Sequence, residues 1–531
     1  MRNSTLATRG MAVAPHSLAS QSALAVLREG GNAVEAMIAA AATIAAVYPH
    51  MNGIGGDGFW TIAIPGQPPV GIEAAGPASR TVSRAFYQHL GLRAIPTRGP
   101  LSANTVAATV SGWDVAHAYA RTIGGKLPVS RLLEDAIHYA RHGIAVTPSQ
   151  AANTASKLIE LLGHSGFRNT FTFDGRAPRE GAMFRQPQLA STLERLAREG
   201  LDSFYRGDLA HDIAADLAAL GSPVMLADLQ AYRARTVTPL HLAHSAGALY
   251  NMTPPTQGLV SLIILALLDR LDLGRYAPDS VQHIHLVVEA TKQAFRIRDQ
   301  YIADPDYMRV DPQSCLSDDF LAPYAAAIRI DQALPWGEGK GPADTVWMGV
   351  IDGEGRAVSF IQSIYHEFGS GLVLPGTGVN WQNRGCSFSL DPAHINTLEP
   401  GKKPFHTLNP ALARLHDGRV MVYGSMGGDG QPQTQATLFT RIGVFGQHPQ
   451  QAISAPRWLL GRTWGQSSDS LKLEGRFSPD IAAGLRALGH DVDMLPDFDE
   501  AVGHAGAIIR HPDGRFEGGS DPRSNGGVAG Y

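Results

Sequence analysis

A chain of 531 residues, 44% hydrophobic and 17% charged, has ordinary globular composition and enough material for a large core. A net charge of −4, with no block of like charges, argues against a nucleic-acid or anionic-membrane partner. Length alone suggests roughly three or four domains, and the two cysteines, Cys315 and Cys386, form neither a zinc-type pair nor a disulfide framework, so both are expected as reduced thiols.

The first residues carry no apolar stretch ahead of a small-residue cleavage site, so no signal peptide is expected and a cytoplasmic enzyme is the default. Residues 16–29 show helical periodicity in Leu18, Leu24, Val26 and Leu27 and stop at Gly30-Gly31. Asn32 has the character of an N-cap for a second helix to Tyr48, whose alanine-rich stretch 36–48 is too short to span a membrane. NGIGGDGF (52–59) is a glycine-rich turn before a strand at 60–64, without the Lys-Ser/Thr of a P-loop or the GxGxxG spacing. Residues 105–330 read as mainly helical, with three- and four-residue apolar spacing at 132–141, 189–199, 209–220 and 281–301. His283 and His285, two apart in the last of these, do not share a helix face, and no HExxH occurs, so no metal is expected.

The texture changes near 335. PWGEGKGPAD (335–344) is a Gly/Pro-rich loop. TVWMGVID (345–352) and RAVSFIQS (356–363) then read as two strands around a tight turn. Further strands are expected at 371–374, 411–415, 420–423 and 507–510, so a helix-rich first two-thirds meets a strand-rich last third at Asp344-Thr345.

A threonine hydroxyl needs a nearby base to act as a nucleophile. If the Asp344–Thr345 bond were cut, Thr345 would gain an α-amine of pKa about 7.7–8.0, able to accept a proton near neutral pH. The cut needs only the same hydroxyl attacking the Asp344 carbonyl, an N-to-O acyl shift and hydrolysis of the ester. Taken alone, a threonine opening a strand is ordinarily inert. Gly427-Gly428, in the run GSMGGD (424–429), could present backbone N–H groups to an oxyanion, though taken alone it reads rather as a tight turn.

Several stretches together resemble the γ-glutamyltransferase-like family of N-terminal-nucleophile hydrolases. GMAVAPHSLASQSALAVLREGGNAVEA (10–36) matches its opening, and VEATKQAFRIRDQYIADPDY (288–307) its long helix. DTVWMGVIDGEGRAVSFIQS (344–363) matches its processing site. FGSGLVLPGTG (368–378), PGKKPFHTLNP (400–410), GSMGGDG (424–430), APRW (455–458) and DPRSNGGVAGY (521–531) follow in the family's order. The resemblance implies an α+β fold, an αββα four-layer sandwich, processed into a large subunit (1–344) and a small subunit (345–531). These would stay together as a heterodimer, with a dimer of heterodimers as a further expectation. It implies Thr345 as nucleophile, Asp344-Thr345 as the processing bond, Gly427-Gly428 as the oxyanion pair and Ser363 as a hydroxyl beside the nucleophile. No cofactor is implied.

The departures bear on substrate. Where γ-glutamyl enzymes grip the α-carboxylate with an arginine, this chain has Glu73. Their Asp-Asp-Phe run is Cys386-Ser387-Phe388, and their serine pair is His406-Thr407. An acidic residue repels a carboxylate, and a serine pairs poorly with an ammonium, so a γ-glutamyl pocket is not expected. What replaces it is polar and compact: Tyr365, His366, Arg384, Ser387, His406 and Thr407. Arg384 suits bidentate carboxylate binding, with a structural ion pair as its alternative. SIYHEFGSG, WQNRG and GSMGGDGQPQTQ resemble a branch of the family acting on oxamate, a small carboxylate-bearing amide hydrolysed to oxalate and ammonia. The alternatives are a γ-glutamyl hydrolase or transferase, a β-lactam side-chain acylase, or an unprocessed relative serving as a binding protein.

Overall fold

The computed structural model of the chain describes residues 3–336, 344–462 and 468–531, so positions 337–343 of the Gly/Pro-rich loop lie outside the described residues. Two seven-stranded antiparallel sheets lie face to face. In spatial order the first contains Thr5–Ala7, Phe516–Ser520, Ala505–Arg510, Val420–Ser425, Ala411–Leu415, Gly247–Asn251 and Leu240–His244. The second contains Gly527–Gly530, Met11–Ala14, Asp344–Ile351, Ala357–Tyr365, Asp57–Ala63, Val70–Ala74 and Arg235–Val237. The helices Ser17–Arg28, Ala33–Val47 and Thr109–Thr122 cover the outer face of the second sheet, while Gly258–Arg270, Gly430–Phe439 and Pro449–Ser454 cover that of the first. This is the expected αββα sandwich. Among the described residues no helix is long and apolar enough to cross a membrane.

Local sequence accounts for the central pieces. Asn32 caps the helix Ala33–Val47 by accepting the Val34 and Glu35 N–H groups, while Glu35 accepts the Asn32 N–H. Every residue of that helix is buried, which is why it is apolar all round. In the strand Asp344–Ile351, alternate side chains go to opposite faces. Val346, Met348 and Val350 enter the core under the helices, whereas Trp347 and Ile351 enter the core between the sheets. Trp347 fixes its neighbours: a Cβ on Gly424 or Gly506 would fall 2.3 or 2.5 Å from its ring. The first glycine of GSMGG is therefore a packing requirement.

One expectation is corrected. Residues 371–374 form no strand; Gly369 and Gly371 have φ of +59° and +77°, and only an isolated bridge joins Val373 to Asn380. The stretch 105–330 is mainly helical, as expected, and also contains the hairpin Leu240–His244 and Gly247–Asn251, which alternates buried and less buried positions as an edge hairpin should. Each sheet consequently takes strands from both sides of Thr345, and the helix-rich and strand-rich parts of the sequence are interleaved in space.

Candidate active site

Thr345 is the second residue of the strand Asp344–Ile351 and is fully buried. Asp344 pairs with Tyr365 but Val346 pairs with Gln362, so the opposing strand Ala357–Tyr365 carries one extra residue opposite Thr345. Such bulges re-aim side chains and are common beside active sites. Ser363 stands in this irregular stretch, its Oγ accepting the Tyr365 N–H at 2.8 Å. Its other side faces the glycine-rich turn before Asp57–Ala63, where a Cβ on Gly56 would fall 2.0 Å from the Ser363 carbonyl oxygen. NGIGGDGF thus gives the bulge room. Tyr365 has a φ of +81°, a conformation that side-chain-bearing residues rarely adopt and that clusters at functional sites.

The strand Val420–Ser425 and the helix Gly430–Phe439 are joined through Gly427 and Gly428, whose φ angles are +117° and +52°. At Gly427 the nearest atom to an added Cβ lies 3.8 Å away, so backbone conformation, not crowding, calls for glycine there. Gln257 Nε2 donates to the Gly428 carbonyl at 2.7 Å and to the Thr407 carbonyl at 2.8 Å, tying this turn to the 406–407 segment. One turn of helix further on, Gln431 Nε2 donates to Thr345 Oγ1 at 3.2 Å, which places the glycine turn beside Thr345.

A cavity of about 310 Å³ opens next to these elements, lined by Tyr365, Ser387, Thr407, Asp429, Arg298 and Phe405 among others. Arg384 lies behind this wall and is fully buried. Its guanidinium stacks 3.8 Å from the Tyr365 ring centre, and Nη1 and Nη2 each donate to Thr407 Oγ1 at 3.3 Å, while Nε has no partner among the described residues. Among the described residues it makes no ion pair, and burial pushes its pKa down to about 10. His366 stacks on Tyr365 with ring centres 4.4 Å apart. Ser387 Oγ donates to the Phe405 carbonyl at 3.4 Å, and burial pushes the Cys386 thiol up to about 12.

His406 does not line the cavity. Its Nε2 bonds Asp57 Oδ2 at 2.8 Å and its ring meets Phe59 edge-on at 4.7 Å, so it faces into the sandwich. Burial holds His406 well below the imidazole range and raises the Asp57 carboxyl to about 7. Glu73 is also committed, with Lys403 Nζ at 2.8 Å and Arg235 Nη2 at 3.2 Å. Sequence reasoning missed Gln431, Asp429 and Arg298. Arg298 closes the end of the long helix Val281–Tyr301 and meets Asp429 Oδ2 at 2.9 Å. Asp429 and Gln431 stand inside the GSMGGDGQ run itself, which was the available signal.

Elsewhere His285, Glu289 and His490 bring potential ligand atoms within 4.8 Å of one another. The set is already spent: His285 bonds His490 and the Arg329 carbonyl, and Glu289 takes Lys292 Nζ at 2.7 Å and the Leu334 N–H at 3.0 Å.

A family model described as Gamma-glutamyltranspeptidase matches residues 19–531. The chain is 62% identical over 532 residues to the oxamate amidohydrolase proenzyme of Klebsiella pneumoniae subsp. pneumoniae, covering all of both chains. It is 39% identical to the glutathione hydrolase-like YwrD proenzyme of Bacillus subtilis, again over the full length of both. Among solved structures, a cephalosporin acylase from Bacillus halodurans superposes with a TM-score of 0.92 at 34% identity, covering 100% of this chain and 97% of that one. The chain belongs to the gamma-glutamyltranspeptidase family.

Proposed function

We propose that this chain is the precursor of a self-cleaving amidohydrolase that hydrolyses oxamate to oxalate and ammonia. In processing, Thr345 Oγ1 attacks the Asp344 carbonyl, the chain shifts from nitrogen to oxygen, and water hydrolyses the ester. The products are a large chain, 1–344, and a small chain, 345–531, beginning with a free threonine amine. The two remain a heterodimer, because cutting one bond leaves both sheets and the core between them intact.

In turnover the α-amine of Thr345 takes the proton from its own hydroxyl as Oγ1 attacks the substrate's amide carbon. The backbone N–H groups at Gly427 and Gly428 hold the oxyanion, and the amine's proton passes to departing ammonia. Water then attacks the ester and returns Thr345. Ser363 supports the nucleophile from the bulge. These steps need no metal or organic cofactor.

The observation that carries the substrate class is Arg384, a fully buried guanidinium with no ion-pair partner among the described residues. A buried charge without a counter-ion is costly, and a small carboxylate would supply one. Tyr365, Ser387 and Thr407 line the compact pocket beside it, His366 backs Tyr365, and His406, held by Asp57, stands outside the lining. A γ-glutamyl group is poorly served, because the position from which relatives offer an arginine holds Glu73, itself tied to Lys403 and Arg235. The 62% identity to an oxamate amidohydrolase proenzyme supports oxamate in particular.

The test is ammonia release from oxamate set against p-nitroaniline release from γ-glutamyl-p-nitroanilide. Turnover of oxamate with little or none of the anilide is expected. Turnover of the anilide with oxamate untouched would overturn the substrate, whatever the nucleophile.

A further inference from the structure

Gln431 is fully buried in the first turn of the helix Gly430–Phe439, and one end of its amide is occupied. Nε2 donates to Thr345 Oγ1 at 3.2 Å, while Oε1 is buried with no hydrogen-bond partner among the described residues. A buried acceptor left unsatisfied is unfavourable and, next to a nucleophile, points to a donor arriving with the substrate. Resting on Thr345 as the nucleophile, we propose that Gln431 is a catalytic residue that holds both atoms exchanging places at the acyl carbon.

The oxygen and nitrogen of a planar amide lie about 2.3 Å apart, given its bond lengths. Two heteroatoms on one tetrahedral carbon have nearly the same spacing. Gln431 can therefore lie alongside the tetrahedral centre, with Nε2–H on Oγ1 and Oε1 accepting an N–H of the amide nitrogen. When ammonia leaves, the attacking water takes its place and gives Oε1 the same kind of donor. In the second half-reaction water adds its hydroxyl to the carbon and its proton to the Thr345 amine. The carbon–Oγ1 bond then breaks, its electron pair goes to Oγ1, and the ammonium returns the proton there. The Nε2–H bond stabilises Oγ1 as it leaves. The same assistance applies to the ester formed during processing, and the pairing favours amides that keep an N–H.

The polarity is decisive. As a donor, Gln431 leaves the Thr345 hydroxyl proton free to reach the amine; as an acceptor it would compete for that proton. Gln431→Met removes the amide with little change in length, and Gln431→Glu keeps an acceptor but loses the donor. Both are expected to lower kcat for oxamate on the order of ten- to a hundredfold, below the effect of losing an oxyanion donor. Quenched samples should show one oxalyl group accumulating on the small chain. If a variant folds but stays uncut, hydroxylamine should cleave it between 344 and 345, revealing the stalled ester.

Wild-type turnover by Gln431→Met, full activity of Gln431→Glu, or a folded, uncut chain resistant to hydroxylamine would each overturn the inference. The N-terminus of the small chain is read on the same samples. A start other than Thr345 overturns both readings, whereas a Thr345 start with unimpaired variants overturns this one alone.

Discussion

Arg384 and the pair Arg457 and Arg523 are all almost completely buried, and they differ in what surrounds the charge. Arg384, Arg457 and Arg523 are 0%, 1% and 5% exposed. Arg457 reaches Asp521 at 2.6 Å and the carbonyls of Ile453 and Val502. Arg523 meets Glu474 Oε1 at 2.7 Å and Asp521 at 3.0 Å. Among the described residues Arg384 directly meets the Tyr365 ring and the Thr407 hydroxyl, with Asp57 and Asp429 acting on it without an ion pair. Burial lowers both Arg384 and Arg457 to about 10, so burial does not separate the two; direct carboxylate partners do. A buried cation with its counter-ions built in is structure. One without a direct carboxylate partner fits the proposed carboxylate substrate.

The largest effect is expected at the structural arginines. Arg523→Ala should strip two buried carboxylates of a partner and cost about 3–5 kcal/mol, the usual price of breaking a buried pair. Urea unfolding of the processed protein reads this; a loss under about 1 kcal/mol would place Arg523 with the dispensable surface pairs.

Arg384→Ala should leave the unfolding midpoint nearly unchanged yet lower kcat/KM for oxamate roughly ten- to over a hundredfold, the worth of a buried charge-assisted contact. Arg384→Lys should fall between, since it keeps charge but loses the planar fork. A large stability loss with unchanged kinetics would move Arg384 into the structural class.

A subtler difference lies in pH. Burial alone would raise Asp521, but Arg457 and Arg523 hold it down to about 2. Its folded value is thus below its unfolded one, so its stabilisation is complete above about pH 4 and is lost as pH falls through about 2. The amount is on the order of 2 kcal/mol. Asp521→Asn should remove that acid-side slope, measured by denaturant midpoints between pH 5 and 2; an unchanged slope would contradict the assignment.

Sequence made some of this visible and hid the rest for physical reasons. The Asn32 cap, the helix Val281–Tyr301 and the hairpin that opens at Asp344 were legible because capping chemistry and apolar spacing are local. The strands Met11–Ala14, Phe516–Ser520 and Gly527–Gly530 were not, because short runs rich in glycine or small apolar residues show no alternation. In the site, the family pattern singled out Thr345, Ser363 and the glycine turn. It could not show that His406 turns away toward Asp57, 349 residues distant in the chain. Nor could it show that Gln431, one helical residue among several glutamines, lands on Thr345 Oγ1. The two arginine classes are equally invisible, since NRG and DPR look alike until their neighbours are known.

The central claim is that Thr345 becomes a chain terminus and then the nucleophile. N-terminal sequencing of the smaller chain from purified, active protein tests it most directly. A start at Thr-Val-Trp-Met is expected, with Thr345→Ala leaving one whole, inactive chain. A different start, or an intact chain of 56.5 kDa that still releases ammonia from oxamate, would contradict it.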